Sequence, residues 1–142
     1  MPFKEKIAWI SVVTTILVWG TYFTVVVIGL AHGQPMGREH MIGFLGATVI
    51  QVALVVVASI VTAATAPQDA SAGSDERDKA IARGSYAKAY PVLLVGVVIV
   101  AASMHFGATP RDMAYEIMAA IVIAEIVHYG AQILGYRSGR HG

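Results

Sequence analysis

Residues 115–136, YEIMAAIVIAEIVHYGAQILGY, are long enough to cross a bilayer as a helix, yet they carry Glu125, His128 and Gln132 among their apolar neighbours. An acidic residue at the centre of a membrane helix costs about 2.5 to 3.5 kcal/mol on insertion scales, so polar groups at that depth are expected to face other helices and find partners there. Helical spacing puts Glu125, His128, Tyr129 and Gln132 along one broad face. Ala120, Ala124, Ala131 and Gly135 recur at three- and four-residue steps that also include His128, which lets a second helix come close. This pattern predicts a membrane helix whose polar face points inward.

The rest of the chain agrees. Of 142 residues, 56% are hydrophobic and only 13% charged, against about 25% charged in an average soluble domain, so the composition is that of a membrane protein. Four apolar runs, 7–30, 41–64, 89–107 and 113–136, each approach or exceed the roughly 20 residues needed to span the hydrocarbon core. The first run is too long for the apolar core of a signal peptide and lacks a small-x-small cleavage site, so it is expected to be retained. The expected architecture is all-α, an integral membrane bundle of four transmembrane helices forming a single membrane domain over residues 1–142.

Two connections are short and rich in breakers, AHGQPMGREH at 31–40 and ATPRD at 108–112, while residues 65–88 form one long connection. Lys4, Lys6, Arg77, Lys79, Arg83, Lys88, Arg137 and Arg140 fall on one side, and only Arg38 and Arg111 on the other. The positive-inside rule therefore puts both termini and the long connection in the cytoplasm. Trp9, Tyr22, Tyr90, Tyr115 and Tyr136 stand near span ends, where an aromatic belt is expected. Residues 74–88, SDERDKAIARGSYAK, read as a cytoplasmic helix with Ser74 as its N-cap and Asp75, Glu76 and Asp78 in the first turn. Pro91 is expected to bend or interrupt the helix that follows.

Asp75-Glu76-Arg77-Asp78, followed about ten residues later by a tyrosine-containing apolar span and then by Glu125-x-x-His128-Tyr129-Gly130-Ala131-Gln132 ahead of Tyr136-Arg137, resembles the small bacterial four-span membrane proteins of the DUF2178 type. The resemblance covers mainly residues 74–137. It implies a multi-pass protein of the bacterial inner (plasma) membrane, and it brings no activity or cofactor that could be carried over.

Two groups of residues could carry chemistry. The first is the polar set inside the spans: Glu125, His128, Tyr129 and Gln132, with Gln51 near the middle of the second span and Trp19 near the middle of the first. Gln51 and Glu125 lie on helices expected to run in the same direction, within about one turn in depth, so they could meet. The indole N–H of Trp19 needs an acceptor. Such a set serves either as a polar clamp between helices or as a site for protons or a small ligand. Glu125-x-x-His128 has the spacing of a di-iron ligand pair, but a second pair is missing from the spans. His105 and His128 differ by roughly 20 Å in depth, too far to hold one haem iron between them.

The second group is at the outer ends of the spans, where His32, His40 and His105 gather with Met36, Met104 and Glu116. Imidazole and thioether donors suit copper, and the carboxylates shift the preference towards zinc. The chain has no cysteine, which excludes disulfides and thiolate metal sites. No nucleophile–base arrangement, phosphate loop or nucleic-acid patch is present, so an enzyme is the least supported class. Three functions stay open: binding or transport of a small ligand or protons, a structural or accessory subunit, and metal binding. The expected partners are the lipid bilayer and either a second copy or a larger membrane complex, with no nucleic acid. Thr14, Thr15 and Thr24 are expected to bond back to their own helix, and Gly29 and Gly33 have helix-packing spacing.

Overall fold

Glycine ends the first helix. Phe3–Ala31 (α1) closes at Gly33, which holds φ at +74°, a conformation that costs a residue with a Cβ but not glycine. The Gln34 N–H donates to the Gly29 carbonyl at 3.0 Å and the Gly33 N–H to Leu30 at 2.9 Å, so two orphan carbonyls of the helix end are satisfied. Gly29 and Gly33 therefore build a helix cap, in place of the expected packing pair. Arg38–Thr65 (α2) begins with its own cap, the ring of His40 accepting the Gly37 N–H at Nδ1, 3.1 Å away.

The computed structural model describes residues 3–35, 37–71 and 73–138; Met36 and Arg140, both used in the sequence reading, lie outside the described residues. The chain divides into two compact units, Met1–Ala72 and Gly73–Gly142. The first is a hairpin of α1 and α2, followed by the single turn Pro67–Ser71 (α3). Its helices are antiparallel, since Tyr22 reaches His40 while Gln51 reaches Thr14 and Thr15.

The second unit is the hairpin of Glu76–Ser103 (α4) and Pro110–Ser138 (α5), joined through a 3₁₀ turn, Met104–Phe106. Its turn repeats the device of the first. Gly107 stands at φ +90°, Ala108 N–H donates to Ser103 O at 3.1 Å and Gly107 N–H to Met104 O at 3.2 Å. Thr109 and Asp112 then cap α5 reciprocally: the Thr109 amide and hydroxyl donate to one Asp112 carboxylate oxygen at 2.9 and 2.7 Å, and the Asp112 N–H reaches the Thr109 hydroxyl at 3.3 Å.

The register of this hairpin is set by small residues. A Cβ added at Gly96 would lie 2.6 Å from Ala120 Cβ, and one at Gly135 would lie 2.9 Å from Ile81 Cγ2. With no side chain at Gly96 and Gly135 the backbones of α4 and α5 approach closely. At the far end, Tyr136 Oη donates to Asp78 Oδ1 at 3.1 Å and Arg77 Nη2 donates to the Tyr136 carbonyl at 3.2 Å.

Among the described residues, four helices are long and apolar enough to cross a membrane: α1, α2, α4 with its 3₁₀ extension, and α5. At 1.5 Å per residue each is about 42 Å or more long, beyond the roughly 30 Å of a hydrocarbon core. The fold is all-α, of the multi-pass membrane class. Three local expectations change. Asp75, not Ser74, caps α4, its carboxylate accepting the Asp78 N–H at 2.6 Å. The expected cytoplasmic helix and the third span are one continuous helix that runs through Pro91. Tyr22, Tyr115 and Tyr136 are buried, so packing claims three of the rings assigned to an aromatic belt.

Candidate functional site

The second hairpin carries a cleft of about 480 Å³, open at the surface, between the Tyr86–Leu93 stretch of α4 and the Ala124–His128 stretch of α5. Its walls are Tyr86, Ala87, Ala89, Tyr90 and Leu93 on one side and Ala124, Glu125 and His128 on the other. The volume falls within the 300–1,000 Å³ range of small-molecule sites.

Local sequence explains the cleft. Ala120, Ala124 and His128 are spaced by four, which puts them on one side of α5, and all three are buried. Facing this line, α4 offers Ala89, also buried, where a larger side chain would fill the space. Tyr86 and Tyr90 are spaced by one turn and are 64% and 62% exposed, so much of each ring remains uncovered beside the cleft.

His128 is the most constrained member. It is 5% exposed, with the Tyr86 ring lying over it at a centroid distance of 4.1 Å and the Tyr129 ring edge-on at 5.0 Å. Gln132 Nε2 stands 3.0 Å from His128 Nε2. An amide nitrogen has no lone pair to offer, so it donates, and the ring's own proton then belongs on Nδ1. That Nδ1 is buried with no hydrogen-bond partner among the described residues. A buried donor left unmatched costs about 1–3 kcal/mol, which a bound acceptor would relieve.

Glu125 corrects the expectation of an inward face. It is exposed; each residue advances the helix by about 100°, so Glu125 sits well round from Ala124 and the buried line, at the rim of the cleft. Among the described residues it makes no hydrogen bond or ion pair. Of the polar face read from sequence, His128 is buried and Tyr129 and Gln132 are half-buried.

The other two polar residues belong to the first hairpin. Gln51 Nε2 donates to the hydroxyls of Thr14 and Thr15, each at 3.1 Å, while its Oε1 is buried with no partner among the described residues. Thr14 also bonds back to the Ile10 carbonyl at 2.8 Å, as expected for a helical threonine. Trp19 is 7% exposed and packs in an aromatic cluster with Tyr22, Phe23 and Phe44 at centroid distances of 5.8, 6.2 and 5.4 Å.

Two of the three outer histidines serve local structure. His32 Nδ1 lies 2.8 Å from the Ile28 carbonyl, and His40 caps α2. Glu116 accepts the Ser103 hydroxyl at 2.7 Å, whereas Met104 and His105 are exposed in the 3₁₀ turn. Met36 lies outside the described residues. Among the described residues no three of His, Asp and Glu come together as a metal-sized group.

Sequence reasoning missed the aromatic half of the cleft. Tyr86 and Tyr90 were legible as an i, i+4 pair, but they lay in a stretch read as connection and span entry. It also missed the tie from Arg77 and Asp78 to Tyr136. Comparison with known proteins adds nothing: no family model, curated protein or solved structure matches the chain.

Proposed function

We propose that this chain is a multi-pass protein of the bacterial inner membrane, with both termini cytoplasmic, that binds or moves a small ligand or protons at the cleft of its second hairpin. The observation that supports this most is the pairing, on one apolar cleft, of a carboxylate and a buried imidazole nitrogen that both lack a partner among the described residues. Packing alone would favour apolar side chains at both places, because polar groups within a membrane-crossing helix are costly to keep. Glu125 supplies an acceptor at the rim, His128 a polar group in the cleft wall, and the body of a ligand lies against Tyr86, Tyr90 and Leu93.

Native mass spectrometry of the protein released from detergent, after incubation with a membrane lipid extract, tests this. The wild type is expected to hold one small molecule per chain, and Glu125→Gln, with unchanged helicity, to lose it. Identical adducts in both proteins, or none in either, would overturn the proposal.

A second reading has one observation behind it. Only Ala47 of the 28 residues of α2 is buried; within its hairpin the face turned away from α1, with Ile42, Leu45, Val49, Val52, Val56 and Ile60, is exposed and open to lipid or a partner. This favours an accessory subunit that docks through α2, and in that case Glu125→Gln would change neither adducts nor assembly.

A further inference from the structure

Resting on the cleft reading above, we infer that the ligand is a hydrophobic cation, held by the carboxylate of Glu125 and the ring faces of Tyr86 and Tyr90. The one charged side chain lining this cleft is acidic. Glu125 is the single acidic residue in the lining, and neither lysine nor arginine lines it to neutralise that charge. Pro91 has no N–H, so the carbonyl of Ala87, another lining residue, lacks the donor that a helix normally gives it.

Tyrosine faces carry the negative part of the ring quadrupole and attract a cation placed over them, more strongly when water is excluded. Tyr86 to Leu93 covers about 10 Å of helix axis, room for a cation carrying aromatic or branched apolar groups. The Nδ1 of His128 is buried beneath the cleft wall and is not a contact for a cation there. An anion meets only repulsion at Glu125. A neutral apolar molecule fills the cleft without using the carboxylate.

The full-length protein in detergent should be titrated by equilibrium dialysis with tetraphenylphosphonium, with tetraphenylborate of matching shape and opposite charge, and with neutral triphenylphosphine oxide. Tetraphenylphosphonium is expected to bind saturably at one per chain, and tetraphenylborate weaker by roughly tenfold or more, a difference of about 1.4 kcal/mol. Glu125→Gln should weaken the cation by a similar factor and leave the neutral probe unchanged. Tyr90→Ala should weaken it further while Tyr90→Phe does not. Equal saturable binding of the cation and the neutral probe, unmoved by Glu125→Gln, would overturn the cation assignment and leave the cleft standing. Failure of all three probes to saturate would overturn the cleft as well.

Discussion

Replacing Gly96 by alanine probes the packing that shapes the cleft. The new Cβ would lie 2.6 Å from Ala120 Cβ and 3.5 Å from Ala120 Cα. Carbon atoms pack best at about 3.5–4.0 Å, so α4 and α5 must part by about 1 Å at this level. Overpacking of this kind costs about 1–3 kcal/mol, and the exchange of glycine for alanine in a helix returns about 1 kcal/mol. The net expectation is a loss of up to about 2 kcal/mol. Gly84 and Gly130, in the same two helices, have nothing within 4 Å of an added Cβ, so alanine there should stabilise by up to about 1 kcal/mol. Unfolding in mixed micelles titrated with a denaturing detergent, followed by far-UV circular dichroism, orders the four proteins. Gly96→Ala should melt first and the other two variants last. A Gly96→Ala protein as stable as Gly84→Ala would refute the close approach of α4 to α5.

Tyr136→Phe removes the hydroxyl that reaches Asp78 and keeps the Tyr136 carbonyl that Arg77 contacts; a loss of about 0.5–1.5 kcal/mol is expected, with faster amide exchange in the first turn of α4. Gln51→Leu ends two hydrogen bonds to Thr14 and Thr15 but also removes a buried oxygen with no partner among the described residues. Hydrogen bonds between membrane helices average about 0.6 kcal/mol, so the same titration should move by less than about 1 kcal/mol; a larger loss would mean that Gln51 holds more than its own hairpin.

The positions of the four long helices were legible because lipid imposes one strong demand, length with few charges, and 7–30, 41–64, 89–107 and 113–136 each meet it. Which face of each helix meets protein was much harder to read. In a soluble helix an apolar stripe marks the core, but in lipid both faces are apolar and only shape distinguishes them. Ala120, Ala124 and Gly135 gave that shape on α5, whereas the complementary Gly96 was one glycine among fourteen. Glu125 was expected inside for its charge, and the line of Ala120, Ala124 and His128 puts it at the rim. The Asp-Glu-Arg-Asp run was legible only as first-turn charge: Asp75 caps α4 and Glu76 pairs with Lys79 at 2.7 Å, both local, but Arg77 and Asp78 hold Tyr136, 59 and 58 residues away, which sequence spacing does not reveal.

The central claim is that the Glu125 cleft lies within a membrane-crossing hairpin whose ends face opposite sides of the bilayer. The absence of cysteine allows a direct measurement: Ser74→Cys, Ala108→Cys and Glu125→Cys, each treated in cells with a membrane-impermeant maleimide before and after the membrane is opened. Ala108→Cys should label in intact cells, Ser74→Cys only after opening, and Glu125→Cys in neither condition. Labelling of Glu125→Cys from either side, or of Ser74→Cys and Ala108→Cys from the same side, would contradict it.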